Sequence, residues 1–280
     1  MIATSHRLRG LKDRSSSLLR HLWQRGGRLS RPLLEPCHCD VPPLRDAEIA
    51  AVYHGRRIAG DFYECIRVSP CRVLFALLDV AGRRADTRDI LIAAQNTFRN
   101  MSSTLFAGQH SNEAEAMSEL CHNINRTILQ CSSGVRVCPA FLGCFNENVG
   151  TLCYTNAGHT PGLLIDRGGT SKLEATGLPL GLFSHAVHGS STCALVPGAI
   201  LLIVSRGLIE VTHEGKEFGL EGVNGVLQGL RAKLPCAAPE VCTTTLRSAQ
   251  AFMRGSTVEN DLTTLCLVRS SLVHKSNPAV

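Results

Sequence analysis

Three aspartates stand where an apolar run meets a polar turn. Asp61 lies in Ala59-Gly60-Asp61-Phe62-Tyr63-Glu64, Asp79 in Leu78-Asp79-Val80-Ala81-Gly82, and Asp261 in Glu259-Asn260-Asp261-Leu262-Thr263. A carboxylate at the end of a buried strand is costly to desolvate unless it is paired, hydrogen-bonded or bound to a cation. Carboxylates converging from distant segments suit hard divalent cations such as Mg2+ and Mn2+, which take several oxygen ligands plus water. Alone, each aspartate is ordinarily a turn-forming or capping residue. Metal chemistry requires that the fold bring them together.

The intervening segments must do that. Residues 48–53, 58–68 and 72–80 are rich in β-branched, aromatic and aliphatic residues and are parted by short polar turns, as strands are. Helical spacing follows over 89–106 and 112–129, the second with Ser111 or Asn112 as N-cap. Strands are expected again at 135–145, 151–155, 162–166, 191–195 and 199–204, helices at 220–230 and 239–253, and a last strand at 262–268. Runs of strands interrupted by paired helices predict an α+β sandwich rather than alternating βαβ units. Near the N-terminus, Leu8, Leu11, Leu18, Leu19, Leu22 and Trp23 fall near helical spacing among basic residues. This predicts a short amphipathic helix, or else a frayed tail. Pro32, Pro36, Pro42 and Pro43 then mark a linker. The expected organisation is a basic arm and linker over 1–43, one domain over 44–270 and a tail over 271–280.

Charge and cysteine usage exclude some functions. Residues 1–36 hold eight basic and two acidic residues, an excess equal to the whole net charge of +6. The globular part is therefore neutral, and no nucleic-acid partner is expected, since a basic patch would normally belong to the fold itself. The arm is a candidate for homodimer or partner contact. The thirteen cysteines include no C-x-x-C pair, and the closest spacing is Cys37-His38-Cys39. Structural zinc usually needs two ligand pairs at knuckle spacing, so zinc is not expected. Free thiols in apolar runs point to a reducing cytoplasm. No stretch approaches the ~20 apolar residues of a membrane span.

Taken in order, the motifs resemble the SpoIIE-type branch of the PPM, or metal-dependent protein serine/threonine phosphatase, family. That branch shows G-G-D-F-Y-D, D-V-S-G-H-G, N-A-G-H-x-P, G-x-P-L-G, T-D-G-[LV]-x-E and D-D-x-T. The matching stretches here are 59–64, 79–84, Asn156-Ala157-Gly158-His159-Thr160-Pro161, Gly177-Leu178-Pro179-Leu180-Gly181, Ser205-Arg206-Gly207-Leu208-Ile209-Glu210 and Asn260-Asp261-Leu262-Thr263. The resemblance covers roughly residues 44–270. It implies a sandwich of two antiparallel sheets flanked by helix pairs. It also implies hydrolysis of phosphoserine or phosphothreonine by water activated between two Mn2+ or Mg2+ ions. The substrate implied is a phosphorylated regulatory protein of the anti-sigma-factor-antagonist type, in a bacterial partner-switching circuit.

Residue by residue, the resemblance places metal-ligand and catalytic roles on Asp61 and Asp79, with the backbone carbonyl of Val80 as a further ligand. It also exposes two departures. The aspartate of T-D-G is Arg206, and the first aspartate of D-D-x-T is Asn260. Arg206 cannot ligate a cation, because guanidinium stays protonated and has no accepting lone pair. Its expected role is an ion pair with Asp79 where a second ion would sit. Asp261 could replace Asn260 only through a register shift or a bent entry, since neighbouring strand residues face opposite ways. One ion is thus expected at Asp61 and Asp79, and the second lacks its ligands. Arg83 and Arg84 read either as bidentate phosphate binders or as a solvated turn, and Arg206 is a third phosphate-binding candidate. His159 invites a general-acid role, but a tight structural turn suits the motif better. Two functions follow: a phosphatase with weakened or lost catalysis, or a non-catalytic pseudophosphatase that binds a phosphoprotein or regulator.

Overall fold

The computed structural model describes residues 2–4, 41–54, 60–82, 84–108, 112–131, 136–231, 236–254 and 260–271 of the chain. In chain order these form β1 (Ile2–Thr4), β2 (Ala47–His54), β3 (Gly60–Ser69), β4 (Arg72–Val80), α1 (Arg84–Leu105) and α2 (Glu113–Cys131). Next come β5 (Ala140–Asn146), β6 (Thr151–Ala157), β7 (Gly162–Asp166), β8 (Gly169–Leu173), β9 (Ser191–Ala194) and β10 (Ile200–Val204). The last are α3 (Arg206–Ile209), β11 (Thr212–His213), β12 (Lys216–Glu217), α4 (Gly219–Arg231), α5 (Ala238–Met253) and β13 (Leu262–Arg269). One sheet runs β1-β2-β13-β10-β7-β8 and the other β3-β4-β5-β6-β9, with β11-β12 a separate hairpin. Every strand pairing is antiparallel.

Strand alternation explains the layers. Every residue of β4 is buried, because both of its faces are covered. Leu74, Ala76, Leu78 and Val80 pack with Ile90, Phe98, Leu120 and Ile124 of α1 and α2. Phe75 and Leu77 instead join Ile49, Ala51, Leu201, Ile203, Leu265 and Leu267 between the sheets. On the far side, Ala50, Val52, Leu202, Val204 and Cys266 meet Val223, Leu227, Val241 and Leu246 of α4 and α5. The result is helices, sheet, sheet, helices, the α+β sandwich the motifs imply.

On β3, β4, β10 and β13 the odd-numbered residues face the other sheet: Tyr63, Cys65, Phe75, Leu77, Leu201, Ile203, Leu265 and Leu267. Continuing the alternation puts Asp61, Asp79, Ser205 and Thr263 on that inner face. The registers Asp61↔Asp79 and Val204↔Thr264 put all four at one end of the sandwich.

The expected elements recur with shifted ends. Helix α1 begins five residues before the expected start at 89, and α2 is capped by Asn112, whose Oδ1 accepts from the Ala114 and Glu115 amides at 3.1 and 3.4 Å. The strand expected from 135 begins at Ala140, because residues 136–139 lie alongside β4 as a looser extension. Strands β1 and β8, the β11-β12 hairpin and α3 are not read from periodicity; each is five residues or shorter. The amphipathic segment at 8–23, Pro32, Pro36 and Cys37-His38-Cys39 lie outside the described residues. Strand β1 nonetheless pairs with β2, Ala3 opposite Ala51. The described cysteines are all free, and burial pushes the Cys121 thiol up to about 12 and Cys193 up to about 11. Among the described residues no helix is long and apolar enough to cross a membrane.

Candidate active site

Asp61 on β3 and Asp79 on β4 are directly opposed and buried. Burial, and then the proximity of Asp79, push the Asp61 carboxyl well above the usual carboxylate range, while hydrogen bonds from Thr263 and Ser205 pull the other way. Burial also raises Asp79; Arg206 opposes the rise and Glu210 and Asp261 add to it. Two buried carboxylates facing each other favour a shared proton or a bound cation. Gly60 stands opposite Val80 in the β3-β4 ladder, and a Cβ at position 60 would lie 2.4 Å from the Val80 carbonyl oxygen.

The facing sheet completes the site with two hydroxyls that sequence reading passes over. Thr263 Oγ1 donates to Asp61 Oδ2 at 2.6 Å. Ser205, at the end of β10, bonds Asp61 as well, donates to the Asp261 carbonyl at 3.3 Å and accepts from the Thr263 amide at 3.0 Å. Their signal was parity: both continue the inward-facing alternation of β10 and β13. The same parity bears on Asp261, two residues before Thr263. It is buried and close enough to raise both Asp61 and Asp79. Among the described residues, however, no three His, Cys, Asp or Glu side chains converge closely enough to hold a metal ion.

Arg206 opens α3 directly after Ser205. Its Nε lies 3.9 Å from Asp79 Oδ2 and 3.5 Å from Glu210 Oε1, with the side chain 55% exposed. The expected contact with Asp79 is therefore made at the long limit of an ion pair, and burial outweighs it at Asp79. Gly207 allows the close approach of the 260–261 segment, since a Cβ there would meet the Asp261 carbonyl at 2.3 Å and the Asn260 Cβ at 2.9 Å. Asn260 thus sits beside Gly207, the residue after Arg206. Arg83 lies outside the described residues, and Arg84 is described only as the first residue of α1.

His159 is enclosed by its own turn. Its amide donates to Asn156 Oδ1 at 2.8 Å, and its Nδ1 lies 3.1 Å from the Thr160 carbonyl oxygen. Thr160 Oγ1 reaches the Val204 carbonyl on β10, tying this turn to the facing sheet just behind Ser205. Burial lowers the imidazole to about 4, which keeps it neutral. A further arginine, Arg136, lies over the loop after β4. Its Nη1 would stand 2.9 Å from a Cβ on Gly82, which has φ +123°.

The two facing carboxylates are oxygen donors of the kind a hard divalent ion takes. Beside them stands Arg206, whose guanidinium cannot ligate a cation, followed by Gly207 against the 260–261 segment.

Comparison with known proteins agrees with this fold. The family model for Stage II sporulation protein E (SpoIIE) matches residues 69–270. The chain is 20% identical over 250 residues to protein IcfG of Synechocystis sp., covering 82% of this chain and 39% of that one. It is 24% identical over 156 residues to phosphoserine phosphatase RsbP of Bacillus subtilis, covering 55% of this chain and 38% of that one. The chain thus spans less than half the length of these curated relatives. The RsbU and RsbW domains of Rv1364c from Mycobacterium tuberculosis superpose with a TM-score of 0.67 at 21% identity, over 82% of this chain and 62% of that one. The PP2C phosphatase domain of SpoIIE from Bacillus subtilis gives 0.65 at 17%, over 80% and 64%. RsbX in complex with magnesium gives 0.57 at 14%, over 80% and 96%. Such identities carry the fold, and the family model carries the kinship: the chain belongs to the SpoIIE family of PPM-type, metal-dependent protein phosphatase domains.

Proposed function

We propose that this domain acts on a phosphorylated regulatory protein in bacterial signalling, through a PPM-type centre reduced from two ions to one. In this reading catalysis is weakened or lost. The observation that carries it is the Arg206 guanidinium 3.9 Å from Asp79, with Asn260 beside the adjoining Gly207, where the second ion's carboxylates would be needed. Asp61, Asp79 and the Val80 carbonyl would hold one Mn2+ or Mg2+ ion, with Asp261 a nearby charge rather than a ligand. When bound, the ion supplies Lewis-acid activation of water for attack on a phosphoserine or phosphothreonine phosphorus. Thr263 and Ser205 hold the Asp61 carboxylate in one orientation, and the Asp61–Asp79 opposition fixes the spacing of the two ligands. Arg206, more than half exposed, is free to turn towards a substrate phosphate.

The substrate class rests on kinship. One relative is named a phosphoserine phosphatase, and one structural neighbour carries RsbU and RsbW domains in one chain. That supports a partner-switching setting with an anti-sigma-factor-antagonist type of substrate. Free buried thiols support a reducing, cytoplasmic location. Within this reading residues 1–43 form a basic arm for homodimer or partner contact, 44–270 the phosphatase domain and 271–280 a tail.

A second reading, a non-catalytic pseudophosphatase that binds a phosphoprotein as a scaffold, is favoured by the absence of any three-ligand metal cluster among the described residues. Mn2+-dependent phosphate release from a phosphoserine peptide separates the two. Activity in the wild type that is lost in Asp79→Asn supports the one-ion enzyme. A silent wild type, with turnover gained in Arg206→Asp plus Asn260→Asp, supports the disarmed scaffold.

A further inference from the structure

The most informative unused group is Arg136. It sits in residues 136–139, which run beside the end of β4: the Asp79 amide donates to the Pro139 carbonyl and the Ala81 amide to the Val137 carbonyl, both at 2.9 Å. This stitching places Arg136 beyond Ala81, where its guanidinium lies against Gly82. A Cβ at position 82 would meet Nη1 at 2.9 Å, and the φ of +123° there is one that glycine adopts readily. The guanidinium thus rests against the loop three residues along the chain from Asp79.

The guanidinium meets no carboxylate among the described residues. Among the described residues it makes no hydrogen bond or ion pair. The guanidinium that pairs with Asp79 among the described residues is that of Arg206, not Arg136. Arg136 is half-buried, and its neighbour Val137 is 37% exposed, so the rim can be reached by another protein. A half-buried guanidinium keeps five donors in a planar fork, which matches a phosphate in bidentate fashion. No anion meets this fork among the described residues.

We propose that Arg136 is the positioning residue that grips the phosphate of a phosphoserine or phosphothreonine side chain at the rim of the Asp61–Asp79 site. This deepens the proposed function and rests on it for the identity of the anion as a protein phosphate. The grip holds the phosphoryl group over the end of β4, while Arg206 approaches from the α3 side. No bond is made or broken at Arg136.

The test is binding, measured by calorimetry on the full 280-residue chain with and without Mn2+, so that it does not depend on turnover. The probes are a phosphoserine peptide, its unphosphorylated form and inorganic phosphate. Arg136→Ala is expected to weaken phosphopeptide and phosphate binding by about tenfold or more, as expected for loss of a charge-assisted pair. Affinity for the unphosphorylated peptide should stay unchanged, and Arg136→Lys should recover part of the loss. A folded Arg136→Ala variant that binds both phosphate probes within about twofold of wild type overturns the proposal. So does a wild type that does not distinguish the two peptides. A silent wild type whose phosphopeptide binding still depends on Arg136 defeats the enzyme reading alone. Turnover whose KM is unmoved by Arg136→Ala defeats this inference alone.

Discussion

Thr263 Oγ1 on one sheet donates to Asp61 Oδ2 on the other at 2.6 Å, the one side-chain hydrogen bond by which β13 reaches into the Asp61–Asp79 pair. The bond orients a carboxylate that burial would otherwise leave costly, and it couples the integrity of the sandwich to the geometry of the site. Thr263→Val keeps the shape and removes the donor. It should destabilise the fold by about 1–3 kcal/mol, read as a lower urea midpoint, and weaken Mn2+ binding in parallel. Thr263→Ser should restore both. A valine variant with wild-type stability and metal affinity would show that the bond is incidental.

The buried imidazole of His159 predicts how stability responds to acid. Its pKa is about 4 when folded against an ordinary 6.5, so between those values the unfolded chain binds the extra proton. Stability from this group is complete above about pH 6.5 and is lost as pH falls towards 4, by up to about 3 kcal/mol. Burial lowers His188 too, which adds in the same direction, whereas the raised Asp61 and Asp79 act oppositely. Comparing His159→Gln with wild type isolates the effect. Urea midpoints at pH 7 and 5 should show a shallower loss in the variant, and equal losses would mean that His159 does not carry it.

What was legible in the sequence followed from periodicity and motif order. The buried run of β4, the opposed Asp61 and Asp79 and the helix pair after them are readable, because alternation and 3.6-residue spacing report burial directly. Ser205 and Thr263 were not singled out, since a hydroxyl in an apolar strand says nothing until the facing strand is known. Arg136 was hidden for a different reason. Its relation to Gly82 spans 54 positions and is a matter of loop shape. The His159 turn was better served by its structural reading, and the Asn156 and Thr160 bonds supply the cause.

Glu64 closes the first motif and serves α1 rather than the metal. Its Oε2 accepts from Gln95 Nε2 at 2.7 Å and Arg99 Nη2 at 2.8 Å, joining β3 to two successive turns of α1. Glu64→Ala would strand a buried amide and a partly buried guanidinium. A loss of about 2–4 kcal/mol is expected, with Glu64→Gln losing less because an amide oxygen still accepts. Thermal unfolding measures this. A tolerated alanine would mean that α1 is held by its apolar contacts alone.

The two departures at the metal site make the most discriminating prediction, because they differ in kind. Asn260 leaves a neutral oxygen that weakly tolerates a cation, whereas Arg206 adds a positive charge 3.9 Å from Asp79. At an exposed rim, screened by water, a like charge near an incoming divalent ion is worth about 1–2 kcal/mol. Arg206→Ala should therefore raise Mn2+ affinity more than Asn260→Asp does, by about tenfold or more, although it supplies no ligand. Arg206→Asp with Asn260→Asp should exceed the sum of the singles, since both carboxylates would serve the same ion. Calorimetric Mn2+ titration of the four proteins and the wild type measures this, with stoichiometry as a second readout. A change from one ion to two only in the double variant fits a centre disarmed at its second position. If Arg206→Ala left affinity unchanged, the long, exposed pair with Asp79 would be electrostatically idle, and Arg206 would not govern cation binding at this site.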